Sequence, residues 1–214
     1  MEELARVAGR EAANGRVMIA HLGNGSSVTA VRGGKSIDTS MSFTPTAGMP
    51  MSTRSGDLDP GLGWYLWRAE NVTAKRFHQM INHESGLLGV SEISPDMREL
   101  LAREKEDVRA AEAVALFCYQ AKKWIGALAG ALEGLDTLIL SGGIGENAAE
   151  VRRRICAGLE FLGIELDVQR NAERSAVISA QQSRVTVRVL RTDEEWMIAK
   201  MVSRILTVNQ RKEK

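Results

Sequence analysis

A chain of 214 residues with 28 basic and 27 acidic side chains is nearly neutral, so its composition gives no electrostatic case for nucleic acid or an anionic membrane surface. Its length suits one domain with a sizeable core or two small ones, and it has no apolar run of about 18 residues that would predict a membrane span. Cys118 and Cys156 sit in apolar helical patterns without metal-ligand spacing, which reads as buried reduced thiols in a cytoplasmic protein.

The charged opening, MEELARVAGREAANGR, predicts a helix over Glu2–Ala13 with Asn14-Gly15 as its C-cap, and it lacks the apolar core of a signal peptide. Strands are predicted at Val17–Leu22, Ser27–Arg32 and Lys35–Ser40, an antiparallel meander with Gly33-Gly34 turning the last pair. A long segment, Ser42–Pro60, holds three of the four prolines together with Phe43, Met51 and Arg54, and reads as an ordered functional loop. Short helices are expected over Gly61–Asn71, Thr73–Glu84 and Arg98–Glu104, with a long one over Asp107–Glu133. In the long one Val114, Phe117, Cys118, Ala121, Ile125, Leu128 and Leu132 recur at helical spacing. An apolar strand, Thr137–Leu140, then leads through SGGIGEN into a helix expected to reach Leu159; a last strand, Val185–Leu190, precedes a helix over Asp193–Leu206. The order predicts a mixed five-stranded α/β sheet, antiparallel first and parallel afterwards, with flanking helices.

Four stretches carry candidate chemistry, each with a bland alternative. In HLGNGSS, Asn24-Gly25 alone would make a hairpin turn; Gly23, Ser26 and Ser27 add what a backbone needs to approach a phosphate. SGGIGEN fits either a plain strand-to-helix turn or a ligand loop at the carboxyl edge of a sheet. In MSTRSGDLDP, Arg54 fits a loop ion pair with Asp57 or Asp59, or a forked clamp for a phosphoryl group or carboxylate. In RTDEEW, Thr192 and Glu195 fit a capping box, which leaves Glu194 to face a helix dipole or a magnesium ion. His78 and His83 read as surface or helix-end residues.

Taken in order, HLGNGSS, DTSMSFTP, MSTRSGDLDP, GLLGVSEISPDMREL, SGGIGENA and RTDEEWMIA resemble the acetate kinases over about Val17–Lys200. That resemblance implies a ribonuclease-H-like, actin-like ATPase domain and the reaction ATP + acetate to ADP + acetyl phosphate by direct phosphoryl transfer, with Mg²⁺ or Mn²⁺. Residue by residue, it implies that His21, Leu22, Gly23, Asn24 and Gly25 form a phosphate loop. Asp96, Met97 and Arg98 would contact the adenosine, supported by Gly143, Ile144, Gly145, Glu146 and Asn147. Arg54 would be the catalytic arginine, Pro45 would line the pocket for the acid's methyl group, and Glu194 would associate with the metal.

Between Pro45 and Arg54 this chain reads TAGMPMST where the family reads close to LEGLMMGT, which puts the preference for acid length in question. The resemblance further implies that residues 1–214 are one domain, the C-terminal half, without the family's N-terminal domain. The expectations are weak nucleotide binding and poor turnover alone, a homodimer, and a separately encoded N-terminal half as a possible partner. A propionate or butyrate kinase fragment, and a non-catalytic nucleotide-binding or dimerisation remnant, are the rival readings.

Overall fold

The computed structural model describes residues 1–212, with the side chains of Glu194, Arg204 and residues 206–212 outside that description. Its sheet has the order β3-β2-β1-β4-β5, built from β1 (Arg16–Leu22), β2 (Ser26–Arg32), β3 (Lys35–Thr39), β4 (Thr137–Ser141) and β5 (Thr186–Val189). β2 runs antiparallel to both β1 and β3, whereas β4 is parallel to β1 and β5 is parallel to β4. Short turns permit the first pairings; the parallel ones need the helical crossovers that the sequence supplies. Gly33 and Gly34, at φ 58° and 74°, make the β2–β3 turn. All five residues of β3 are exposed, and Lys35 opens that edge, as suits a strand with no outer neighbour.

Period-two alternation sorts β1 between two cores. Met18, Ala20 and Leu22 join the main cluster with Val28, Leu138 and Val187. Val17 points the other way and packs with Leu4, Ala13, Val31 and Ile139 beneath α1 (Glu2–Asn14). α1 departs from its expected form twice: Gly9 interrupts it at φ 88°, and Gly15 ends it in an extended rather than a left-handed conformation.

The main core is closed by α6 (Val108–Ala131), whose stripe from Val114 to Leu128 is buried, with Leu132 buried just beyond it. Asp107 caps it by accepting from the amides of Arg109 and Ala110. Burial pushes the Cys118 thiol up to about 11 and that of Cys156 up to about 12, so both remain protonated and inert at neutral pH.

Along the chain between β3 and α6 come α2 (Pro60–Ala69), α3 (Ala74–His83), α4 (Gly86–Ser91) and α5 (Met97–Arg103). α4 begins where the sequence suggested only a break at Ser85-Gly86. His83 closes α3, with the His78 ring 6.5 Å away. After β4 the expected single helix is divided: α7 (Gly142–Asn147), α8 (Ala149–Cys156) and a 3-10 turn, Glu160–Leu162. α9 (Val168–Ala172) and α10 (Glu194–Lys212) complete the elements, and no described helix is long and apolar enough to cross a membrane.

Candidate active site

The three parallel strands, β1, β4 and β5, end beside one cleft of about 1170 Å³. The loop after β1 lines one wall. Residues 23–25 join β1 to β2 as a hairpin, but neither Asn24 nor Gly25 has a positive φ, so the Asn-Gly turn suggested by the sequence is not what makes it. Instead the loop closes on itself: Gly23 N–H donates to Gly25 O (3.2 Å), and buried Ser26 Oγ donates to Gly23 O (3.1 Å). Neither glycine is demanded by space, because an added Cβ would make only ordinary van der Waals contacts. A Cβ on Gly25 would meet Arg54 Nη1 at 3.4 Å; one on Gly23 would lie 3.8 Å from His21 Nε2 and 3.9 Å from Gly143 N.

Arg54 is presented by a loop without regular structure, yet main-chain bonds hold it. Met51 N–H donates to Arg54 O, Leu87 N–H to Met51 O, Ser85 N–H to Thr53 O, and Ser52 N–H to Asn24 O. Met49 and Met51 are fully buried beneath it. The guanidinium forms no ion pair with Asp57 or Asp59. Asp57 accepts from Gly48 N–H and Asp59 caps α2, while Arg54 Nη1 donates to Pro45 O (3.2 Å) and lies 3.4 Å from Met51 Sδ. Pro45 is exposed and meets Arg54 through its carbonyl.

On the opposite side, Asp96 caps α5 and grips Arg98 through both carboxylate oxygens, down to 2.6 Å. The Arg98 guanidinium holds the Asp96 carboxyl below the usual carboxylate range. Met97 lies between them at the cleft wall. The floor comes from Gly143, Ile144 and Asn147 of α7. Three of the expected nucleotide residues stand behind the wall. Leu22 is fully buried, Gly145 is buried, and Glu146 turns away to accept from the Thr192 amide (2.9 Å) and hydroxyl (3.0 Å).

That last contact corrects the reading of RTDEEW. Asp193, not Thr192, caps α10, accepting from Trp196 N–H at 2.9 Å, while Thr192 is held by Glu146 and lines the cleft. Glu194 opens α10, but its side chain lies outside the described residues.

Two residues that sequence reasoning did not single out support the floor. Arg152 is fully buried and ties α7 to α9: Nη1 donates to the carbonyls of Gly145 and Glu146, Nε to Asn171 Oδ1 and Nη2 to Asn171 O. Arg174 lines the cleft and donates to Asn147 Oδ1. Charge alone does not distinguish these two from the chain's other arginines; only the fold does.

A glycine-lined cleft at the carboxyl ends of parallel strands, with an unpaired loop arginine beside it, defines an α/β domain of the nucleotide-handling class. The model of the acetokinase family matches residues 1–200. A propionate kinase of Escherichia fergusonii is 47% identical over 191 residues, covering 89% of this chain and 47% of that protein. An acetate kinase of Thermoanaerobacterium thermosaccharolyticum is 47% identical over 195 residues, covering 89% and 49%. The crystal structure of Porphyromonas gingivalis acetate kinase superposes with a TM-score of 0.90 at 41% identity, covering 96% of this chain and 52% of that one. The chain belongs to the acetokinase family and has its actin-like ATPase fold. It spans about half the length of the relatives it matches.

Proposed function

We propose that this chain is the C-terminal nucleotide-binding domain of an acetate kinase, whose whole form interconverts ATP and acetate with ADP and acetyl phosphate. One observation carries this reading: Arg54 has no carboxylate partner among the described residues and stands 3.4 Å from where a Gly25 side chain would begin. A guanidinium held in that position, against a loop of small residues, suits the charge of a transferring phosphoryl group and the carboxylate that receives it.

In this reading His21 to Gly25 cradle the phosphates, with Asn24 nearest the γ-phosphate. Asp96, Met97 and Arg98 face the nucleoside across Gly143 to Asn147, and Pro45 borders the acid's methyl group. Magnesium would come with the nucleotide, since Mg²⁺ takes most of its ligands from phosphate and water. No group of three or more His, Cys, Asp or Glu among the described residues could hold a metal alone. Glu194, two residues beyond Thr192 of the cleft wall, is the carboxylate proposed to hold the ion.

A homodimeric, cytoplasmic protein, and a second polypeptide or segment supplying the family's other half, complete the reading. Exposed Trp196, Ile198, Met201 and Ile205 on α10 support further protein covering that helix.

Acetyl phosphate formation from MgATP and acetate by the purified chain, beside Arg54→Ala, tests this. MgADP binding with little turnover is expected; brisk turnover that Arg54→Ala abolishes would show that one half suffices. Absence of nucleotide binding would leave the non-catalytic remnant. Propionate kinase is the second reading, favoured by the Escherichia fergusonii relative at the same identity. Once the other half is supplied, kcat/KM for two- to four-carbon acids separates the two, each methylene contributing about 1–3 kcal/mol.

A further inference from the structure

We infer that Arg174 is a nucleoside-contacting residue, which also locks Asn147 in place for the same ligand; the inference rests on the nucleotide reading above. Arg174 lines the cleft beside Asn147 and Ala148. Its backbone is left-handed, at φ 57°, a conformation disfavoured for a side chain of this size. Of the two arginines that line the cleft, Arg98 is paired with Asp96. Among the described residues Arg174 has no carboxylate partner, and the one side-chain hydrogen bond it makes there runs from Nη1 to Asn147 Oδ1 at 3.2 Å.

That bond has a geometric effect. Asn147 Nδ2 donates to Gly143 O at 2.9 Å, so with Oδ1 held by Arg174 the amide plane is fixed at both ends. Asn147 then offers the ligand a flat, rigid amide face and the second N–H of its Nδ2. The remaining N–H groups of Arg174 and its planar face are left for whatever enters the cleft. Beneath it, the buried Arg152 cation repels Arg174 and disfavours its folding inward; the same charge contributes, after burial, to lowering the Arg152 guanidinium.

Position selects the part of the ligand. The phosphates are placed by the loop after β1, which adjoins Gly143 at the start of α7. Asn147 ends that helix, one turn and roughly 6 Å further on at helical rise. Arg174 therefore meets the nucleoside end. A guanidinium plane there can stack on an aromatic base or donate to ring nitrogens and ribose oxygens.

Calorimetric titration with MgADP and with magnesium tripolyphosphate, which has no nucleoside, tests this in the unaltered chain, Arg174→Ala and Arg174→Gly. Arg174→Ala is expected to weaken MgADP about five- to tenfold and leave tripolyphosphate unchanged. Arg174→Gly should lose the same affinity while its thermal midpoint holds or rises, because glycine suits the positive φ. MgADP binding equal to that of the unaltered chain, or an equal loss for both ligands, overturns the inference. Failure of the unaltered chain to bind MgADP overturns the nucleotide reading, and the inference with it.

Discussion

A Cβ on Gly86 would stand 2.1 Å from Met51 O and 2.7 Å from Arg54 O, at a φ of 61°. Both obstacles are backbone, so nothing flexible can yield. Gly86→Ala is expected to cost about 2–3 kcal/mol and to displace the loop that presents Arg54, lowering the urea midpoint and any Arg54-dependent activity together. Gly142 is confined in the same way, 2.6 Å from Leu22 O at the end of β1. Gly142→Ala should weaken MgADP binding as well as stability, measured by calorimetry and urea titration. By contrast Arg54→Ala removes only the bond to Pro45 O and the contact with Met51 Sδ, and its unfolding free energy from urea titration should lie within about 1 kcal/mol of the unaltered chain. At this scale the sequence was informative about which residues matter and poor about why. HLGNGSS drew attention by its small residues, yet the turn chemistry that Asn-Gly suggests is not used. The two supporting arginines, Arg152 and Arg174, were not legible, because Asn171 lies 19 residues from the first and Asn147 27 residues from the second.

Elements defined by periodicity or glycine turns were readable: the three-strand meander, the long α6 stripe and the apolar β4. The split of the region after β4 was not, since α7 ends where Arg152 gathers its last carbonyls, a tertiary event. Arg152→Met would strip those carbonyls and Asn171 of a buried charged donor, costing about 3 kcal/mol, and Arg152→Lys should recover little because one ammonium cannot span α7 and α9. Urea titration of both variants checks this. α8 is fastened at its other side by Glu150, which receives Arg153 and Arg154, while Arg154 also reaches Glu104 next to α5. Arg153 first, and Arg154 after it, bring the Glu150 carboxyl down from 4.5 to about 2. In the unfolded chain this group takes up a proton at higher pH than in the folded one. Its stabilisation is therefore complete above about pH 4.5 and is lost as pH falls towards 2. Glu150→Gln should flatten the fall of the urea midpoint across that window; an unchanged slope would show that the pair does not couple to folding.

For the whole molecule, the fold and family could be read from six ordered motifs because five sit at a strand end or in the Arg54 loop and the other runs from α4 into the Asp96 cap of α5, places where backbone geometry restricts residue choice. What the other half contributes could not be read, since this chain spans about half its relatives' length. The exposed side chains follow the same division. Phe43 is 98% exposed two residues before Pro45, and α10 exposes Trp196, Ile198, Met201 and Ile205. α10 itself is held to this half by Lys200 pairing with Glu2 and by Glu146 gripping Thr192, so it is positioned before any partner arrives. The most direct test of the central claim is amide hydrogen exchange with and without MgADP. Slowed exchange confined to His21–Ser27, Pro95–Arg98 and Gly142–Asn147 is expected. Exchange that MgADP leaves unchanged there, or slows only elsewhere, would contradict the assignment of this cleft to a nucleotide.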